Sequence, residues 1–453
     1  MKYYIKTFGC QMNESDSERI AGFLESQKNK PAKDIEKADI VIFNTCGIRQ
    51  MAEDRAYGQI HNIRKQESGN KNQKSRKIVI LTGCLANRKD VQVRLKNKVD
   101  LFCETKAFEE KFTSVIANAV KQSQNIGHNL SKYEIATVAA LPHNDNYLNI
   151  IPKYSNQHIA YVPIMTGCNN FCSYCVVPYA RGREVSRSSK EIILEIKNLL
   201  KNGCKEIILL GQNVNSYIDG KNTFPKLLQL IEKIPGHFWI SFMSSHPKDF
   251  SDELIETIAK SKKICEHIHL PLQAGDNEIL LAMNRKYTAE KYLNLVKKIK
   301  SAFAKYKPNK LYSITTDIIV GFPGETKKQF LESARVMKKV CYDLVYFGQF
   351  SPRPGTVAYK MKDNVSKDEK KKREFFLNEI LKETAFENNQ KYTGKTLEVL
   401  IDKKDGANYF GQTHSLKNVK IISTKKNLVG KFVKVKITKA NIWNLEASLY
   451  IKP

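Results

Sequence analysis

Cys168-Asn169-Asn170-Phe171-Cys172-Ser173-Tyr174-Cys175 is a CxxxCxxC run that directly follows an apolar, β-like segment, Ala160–Met165. Three thiolates on one tight loop can hold three corners of a cubane iron–sulfur group and leave the fourth iron open. A structural zinc site normally closes with four ligands, and no Cys or His follows Cys175 closely. An open, electron-rich iron can chelate and reduce a small molecule. Zinc or chance spacing is the alternative that the motif alone leaves open.

Beyond this loop the β/α alternation continues. After Ala160–Met165, strands are expected at Glu206–Leu210, Trp239–Met243, His267–Leu270, Ile314–Val320 and Val345–Phe350. Helical stretches separate them, at Ser189–Lys201, Phe224–Ile234, Asp252–Ser261 and Lys327–Val340, several opened by a capping Ser, Asp or Thr. Six such units imply a partial (β/α)6 barrel. Polar and Gly/Pro-rich residues collect just after the strands, among them Gly211-Gln212-Asn213, Ser244-Ser245-His246-Pro247 and Gly321-Phe322-Pro323-Gly324-Glu325. In a barrel those loops form the catalytic face.

Upstream, Tyr3–Thr7, Ile40–Asn44, Ile78–Thr82 and Val99–Phe102 read as strands, each followed by an amphipathic segment. Such βα units make a parallel sheet whose ligands sit beyond the carboxyl ends of the strands. Cys10, Cys46 and Cys84 fall at three of those ends. Adjacent parallel strands lie ~4.8 Å apart, so the three thiols could converge on a second cubane. On pattern alone they could equally be buried free cysteines. Downstream, Ser366–Gln390 reads as a charged helix leaving the barrel. Short β-like runs at Leu397–Ile401, Val419–Ile422 and Phe432–Ile437 then suggest a small β-barrel. The expected organisation is an N-terminal parallel-sheet α/β domain (1–121), a connecting segment (122–155), the partial β/α barrel (156–389) and a C-terminal small β-barrel (390–453).

No stretch approaches the ~18 consecutive apolar residues of a membrane span, and the first ten residues lack an export signal, so a soluble cytoplasmic protein without a membrane partner is expected. Ten cysteines in such a protein point to metal or redox chemistry rather than disulfides. The formal net charge is +29, a field that attracts a polyanion, although surplus lysine can also merely solvate a surface. Residues 391–453 carry 13 Lys and no Arg against 4 acidic residues, a balance of +9.

The CxxxCxxC loop after a first barrel strand resembles the radical S-adenosylmethionine superfamily. That resemblance implies that the open iron binds the amino and carboxylate groups of S-adenosylmethionine, and that an electron cleaves it to methionine and a deoxyadenosyl radical. It places Tyr174 near the cofactor's adenine and Gln212 and Asn213 at a cofactor contact, with Gly-Gln standing where Gly-Glu is usual. The segments Gly9-Cys10-Gln11-Met12-Asn13, Asn44-Thr45-Cys46-Gly47-Ile48-Arg49 and Gly83-Cys84-Leu85-Ala86 look like the N-terminal domain of the methylthiotransferases, and the C-terminal segment looks like a TRAM domain. The resemblance covers nearly the whole chain. It implies two 4Fe–4S clusters, one held by Cys10, Cys46 and Cys84 and the other by Cys168, Cys172 and Cys175. The implied partners are tRNA, a flavodoxin- or ferredoxin-like electron donor and a sulfur source, with the protein a monomer. Val176-Val177-Pro178-Tyr179-Ala180-Arg181-Gly182-Arg183-Glu184 and Phe347-Gly348-Gln349-Phe350-Ser351-Pro352-Arg353-Pro354-Gly355-Thr356 agree with the branch that methylthiolates carbon 2 of N6-dimethylallyladenosine beside the anticodon. Sister branches act on threonylcarbamoyl-adenosine or on a ribosomal-protein aspartate. An iron–sulfur RNA-binding protein without catalysis is the non-enzymatic reading. The remaining Cys103, Cys204, Cys265 and Cys341 are expected to be small buried hydrophobes.

Overall fold

The computed structural model describes residues 1–47, 50–69, 76–114 and 147–450. It divides into two compact units. The smaller comprises Met1–Ser155 together with Cys175–Arg183 and Arg353–Gly355, and the larger Asn156–Tyr174, Glu184–Pro352 and Thr356–Pro453. Most of the expected connecting segment, 122–146, lies outside the described residues, as do Ile48 and Arg49 of the second cysteine motif.

Alternation along Ile40–Thr45 builds the smaller unit. Ile40 and Ile42 face one way, packing with Ile20, Phe23 and Leu24 of the helix Gln11–Ser26. Val41 and Phe43 face the other, against Ala56, Ile60 and Ile63 of the helix Gln50–Gly69. A strand with both faces apolar needs cover on both, which is the condition for a parallel sheet. The sheet is wholly parallel, in the order Lys30–Pro31, Lys2–Phe8, Ile40–Thr45, Ile78–Gly83, Leu101–Phe102. Lys30–Pro31 was not foreseen, because two residues show no periodicity. The strand expected at Val99–Phe102 shortens to Leu101–Phe102, since Val99 closes a turn onto Leu95.

All six expected barrel strands form, within one or two residues of their expected ends: Ile159–Pro163, Glu206–Leu210, Trp239–Phe242, His267–His269, Ser313–Val320 and Leu344–Gln349. They make two three-stranded parallel ladders, linked by a single parallel bridge between Ile240 and Ile264. Among the described residues no ladder pairs the first strand with the last, so the barrel is a partial one. The helix Lys367–Gln390, capped by Ser366, does not leave this barrel as expected. Its Lys370, Arg373, Leu377, Ile380, Leu381 and Ala385 are buried, a stripe at helical spacing that lies back on the strand Leu344–Gln349.

Five antiparallel and parallel strands then close the C-terminal barrel, in the order Thr396–Asp405, Asn408–Thr413, Asn418–Ile422, Leu445–Leu449, Phe432–Ala440. Its Leu400, Leu416 and Phe432 pack on Trp239, Cys265 and Ile159, at the amino ends of the β/α-barrel strands. Cys103, Cys204 and Cys265 are buried, as their sequence surroundings imply. Cys341 is not: it ends the helix Lys327–Val340 in the left-handed conformation (φ 58°) and is exposed, because a residue that turns the chain off a helix points away from the helix's buried stripe.

Candidate functional site

The sheet of the smaller unit runs in the order two-one-three-four-five, in which strands one and three diverge at a topological switch point. Cys10 follows the first of these strands and Cys46 the other. Thr45 pairs with Gly83, so Cys46 and Cys84 leave their strands at equivalent heights. Two glycines make the approach possible. Gly83 has φ +82°, and a Cβ there would lie 2.5 Å from Asn44 Oδ1 and 2.6 Å from the Thr45 carbonyl. A Cβ on Gly47 would press on Cys84 Cβ at 3.2 Å.

Two fully buried asparagines lock these loops together. Asn13 Nδ2 donates to Asn44 Oδ1 (2.8 Å), and Asn44 Nδ2 donates back to the Asn13 carbonyl (2.8 Å) and to Ser17 Oγ (3.0 Å). Asn13 Oδ1 accepts from the Cys10 thiol at 3.3 Å. Both asparagines stood in the quoted motifs, but a sequence assigns them no partner.

Arginines from distant segments complete this unit. Arg181 pairs with the fully buried Asp16 (Nη2 to Oδ2, 2.7 Å), whose other oxygen accepts from Tyr147 Oη. Arg353 donates to Gln50 Oε1 (2.7 Å) and lies 3.6 Å from Glu53. Burial pushes the Cys10 thiol up, although the residue keeps an exposed surface; Arg181 opposes that push and Cys84 adds to it. These charge effects put the Cys10 and Cys84 thiols and the Arg181 guanidinium within one electrostatic neighbourhood. A thiolate held this way needs a cation, and its proton leaves when a metal binds.

In the larger unit, Cys168 and Cys172 sit on a loop that leaves the first barrel strand through Gly167 (φ +77°) and Phe171 (φ +47°). Cys175, half-buried, opens the segment counted with the smaller unit. Three consecutive residues after the helix Asn277–Ala282 grip this loop. The Met283 carbonyl accepts from Ser173 N (3.0 Å), Asn284 Nδ2 donates to the Phe171 carbonyl (2.8 Å), and Arg285 Nη1 donates to Cys172 Sγ (3.3 Å). Asn284 adopts φ +57°, a region that Asn tolerates better than most residues. Glu184 closes the other side, accepting from Asn169 N and from Ser216 Oγ.

Around the carboxyl ends of the strands, several buried polar atoms have no partner among the described residues: Gln212 Oε1, Asn213 Oδ1, Ser245 Oγ and Ser173 Oγ. Asn213 spends its amide nitrogen on Asp249 (2.8 Å). Buried polar groups are rarely left unpaired, so such atoms on the loops after the strands suit a polar ligand. Gln212 and Asn213 were the sequence candidates; Ser173 and Ser245 were visible only as loop composition. Tyr174 is half-buried, within electrostatic reach of Arg285.

Sequence reasoning missed a hydrogen-bonded chain on the next pair of strands. Asp317 Oδ2 meets His269 Nε2 (3.1 Å), His269 Nδ1 meets Thr315 Oγ1 (2.9 Å), and the same hydroxyl meets His267 Nε2 (3.0 Å). Burial, then His269 and Lys417, hold His267 neutral, with its pKa down at about 3. The signal was present as residues i and i+2 on two adjacent strands, but it requires the pairing register to read.

Among the described residues no three His, Cys, Asp or Glu side chains close on one point as ligands of a single metal ion do. A cubane asks for something else, since each thiolate binds its own iron and the sulfurs stay apart. The donor set fits such a group: soft thiolates, with Arg181 in the neighbourhood of Cys10, Arg285 on Cys172, and the Glu184 carboxylate beside Cys168 tied up by Asn169 N and Ser216 Oγ.

Three family models match the chain: the radical SAM superfamily over residues 162–337, an uncharacterized family designated UPF0004 over 2–104, and the TRAM domain over 390–450. The tRNA-2-methylthio-N(6)-dimethylallyladenosine synthase of Clostridium botulinum (strain Langeland) is 42% identical, covering 98% of this chain and 96% of the relative. That of Thermoanaerobacter pseudethanolicus is 40% identical, over 99% and 92%. In fold, the chain is similar to the cobalamin-dependent S-adenosylmethionine radical enzyme OxsB (TM-score 0.52, 11% identity, 83% of this chain and 56% of that one). It is also similar to the radical S-adenosylmethionine methyltransferase TsrM from Kitasatospora setae (TM-score 0.52, 13% identity, 79% and 73%). With two glycine-flanked thiol sets, a partial β/α barrel and full-length relatives at this identity, the chain belongs to the radical S-adenosylmethionine methylthiotransferase family.

Proposed function

We propose that this protein attaches a methylthio group to carbon 2 of N6-dimethylallyladenosine beside the anticodon of tRNA. The observation that carries the reading is the 40–42% identity, from end to end, to tRNA-2-methylthio-N(6)-dimethylallyladenosine synthases. In this reading Cys168, Cys172 and Cys175 hold one 4Fe–4S cluster and Cys10, Cys46 and Cys84 a second. The first cluster, when bound, supplies the electron that splits S-adenosylmethionine into methionine and a deoxyadenosyl radical able to take the hydrogen from carbon 2. An ordinary side-chain base would not suffice, because that hydrogen is too weakly acidic. Tyr174, Gln212 and Asn213 orient S-adenosylmethionine, and the residues around Cys10 hold the sulfur to be transferred.

The C-terminal barrel attracts the RNA backbone through lysines such as Lys434 and Lys436, which alternate outward along Phe432–Ala440. A one-electron donor of flavodoxin or ferredoxin type and a sulfur source complete the system. No described helix is long and apolar enough to cross a membrane, and we place the reaction in the cytoplasm. The domain limits 1–121, 122–155, 156–389 and 390–453 serve as the working division.

Nucleoside mass spectrometry of tRNA from a deletion strain tests the proposal. Loss of 2-methylthio-N6-dimethylallyladenosine with accumulation of its unmethylthiolated precursor is expected, restored by the wild-type gene and by neither Cys46→Ala nor Cys172→Ala. Loss of the threonylcarbamoyl product instead, or an unchanged nucleoside profile, overturns it.

A further inference from the structure

The structure buries three arginines near the cysteine loops, and they differ in one respect. Arg181 has Asp16 as a partner, and Arg353 has Glu53. The partners shown for Arg285 are Cys172 Sγ (3.3 Å), Tyr287 Oη (2.9 Å) and the Pro271 carbonyl (3.3 Å), with no carboxylate among them. Arg285 is 7% exposed. A buried guanidinium without an anion costs several kcal/mol, so a fold that keeps one has a negative group to set against it. Of these partners Cys172 Sγ is the one that would carry negative charge as a ligand of an iron–sulfur group.

We infer that Arg285 is the positioning residue and counter-ion of the iron–sulfur group at Cys168, Cys172 and Cys175, and that its hydrogen bond to Cys172 raises that group's reduction potential. The inference rests on the cluster assignment made above and goes beyond it. Reduction adds one electron to the cluster, supplied by an external one-electron donor, and so adds one negative charge beside the guanidinium. A fixed cation and an N–H···S bond favour the more negative state, which moves the midpoint upward. Geometry makes the effect specific. Tyr287 Oη takes Nε of Arg285 while donating toward the Pro271 and Leu272 carbonyls, so the fork is aimed and cannot swing to solvent. Met283 and Asn284 clamp the neighbouring backbone, which fixes Cys172 relative to Nη1.

The experiment is an EPR-monitored redox titration of the anaerobically reconstituted full-length protein, with iron and sulfide counted in each sample. R285Q should keep its iron and titrate at a more negative midpoint. The expected loss is at least tenfold in the reduced-to-oxidised ratio at a fixed applied potential, which is 59 mV for a one-electron couple. R285K should recover part of the shift, since it restores the charge without the aimed fork. Y287F, which leaves Arg285 in place but removes its anchor, should move in the same direction by less. Midpoints for R285Q and Y287F equal to wild type would overturn the inference. Should R285Q lose its iron, R285K and Y287F decide the matter by the same criterion. Wild-type protein that binds no iron–sulfur group at all would instead overturn the cluster assignment.

Discussion

The two ends of the β/α barrel are built on opposite principles. At the carboxyl ends of the strands, polar atoms are left over: Gln212 Oε1, Asn213 Oδ1, Ser245 Oγ and Ser173 Oγ are buried without partners among the described residues, and Arg285 has a sulfur where a carboxylate would be ordinary. At the amino ends most charges are met, although His267 Nδ1 has no partner among the described residues and Glu206 accepts from the Ser241 hydroxyl rather than from a cation. Glu266 meets His414 (2.5 Å) and Lys307 (2.9 Å), Lys417 meets Asp343 (2.6 Å), and Ser313 Oγ donates to the Ser415 carbonyl (2.7 Å), around an apolar plug of Trp239, Cys265, Leu400 and Phe432. Unmatched groups mark where something else binds, and matched ones mark where the C-terminal barrel is held on. Lys417 therefore leaves the RNA-facing charge, since its ammonium is committed inside the joint.

Two cysteines give the widest separation between the ends. Cys172→Ala removes one thiol of the proposed cluster loop and should abolish deoxyadenosine formation by reduced protein. Cys265→Ala trims a buried side chain at the other end and should leave deoxyadenosine formation intact while costing about 1 kcal/mol in stability. Chromatographic assay of deoxyadenosine beside a denaturant titration reads both quantities. Activity lost in Cys265→Ala with folding unchanged would erase the distinction between the ends.

Glu266 sharpens it from the stability side. Burial alone would push its carboxyl up, but the bonds to His414 and Lys307 hold its pKa down at about 2. A group depressed on folding contributes stability in full above its ordinary value of 4.5, and loses that contribution as pH falls from 4.5 through 2. The size is about 3 kcal/mol, in line with the ~3–5 kcal/mol expected for breaking a buried ion pair from one side. Glu266→Gln should be destabilised by this amount near pH 7, and the gap to wild type should close progressively below pH ~4.5. Urea unfolding across pH checks it, and a gap independent of pH would show that shape rather than charge holds the joint.

The different legibility of the two thiol sets has a physical cause. The loop set is contiguous, so spacing alone singles out Cys168, Cys172 and Cys175 as candidates. Cys10, Cys46 and Cys84 are 36 and 38 residues apart, and only the βα alternation suggested that they share a sheet edge. What holds them was not legible. Asn13 and Asn44 bond across 31 positions, Arg181 reaches back 165 to Asp16, and Arg353 crosses 303 to Gln50. Periodicity reports which face of an element is buried, and it reports nothing about partners so far along the chain. Strands with both faces apolar, such as Ile40–Thr45 and Glu206–Leu210, were correctly placed because continuous apolar runs have few alternatives. The helix Lys367–Gln390 misled for the converse reason. Its buried face includes Lys370 and Arg373, whose charges are met by Asp363 and Glu325, and a sequence reads such residues as solvated.

The smallest effect is also the most discriminating, because it reverses the usual sign. Ser245 Oγ is buried and unpartnered among the described residues, so the protein carries its desolvation cost, about 1–3 kcal/mol, without a compensating bond. Ser245→Ala removes that cost. Stability should stay level or rise by up to about 1 kcal/mol, whereas truncating a paired buried group lowers it. If the hydroxyl is reserved for S-adenosylmethionine, the same substitution should weaken cofactor binding by roughly 2–10-fold, the worth of one neutral hydrogen bond. Anaerobic calorimetry of S-adenosylmethionine binding and thermal unfolding of the same preparation measure the two changes together. Higher stability with weaker binding is the signature of an end arranged for a ligand. Lower stability with unchanged binding would make Ser245 part of the scaffold, and the carboxyl end would then resemble the amino end more than its unmatched atoms imply.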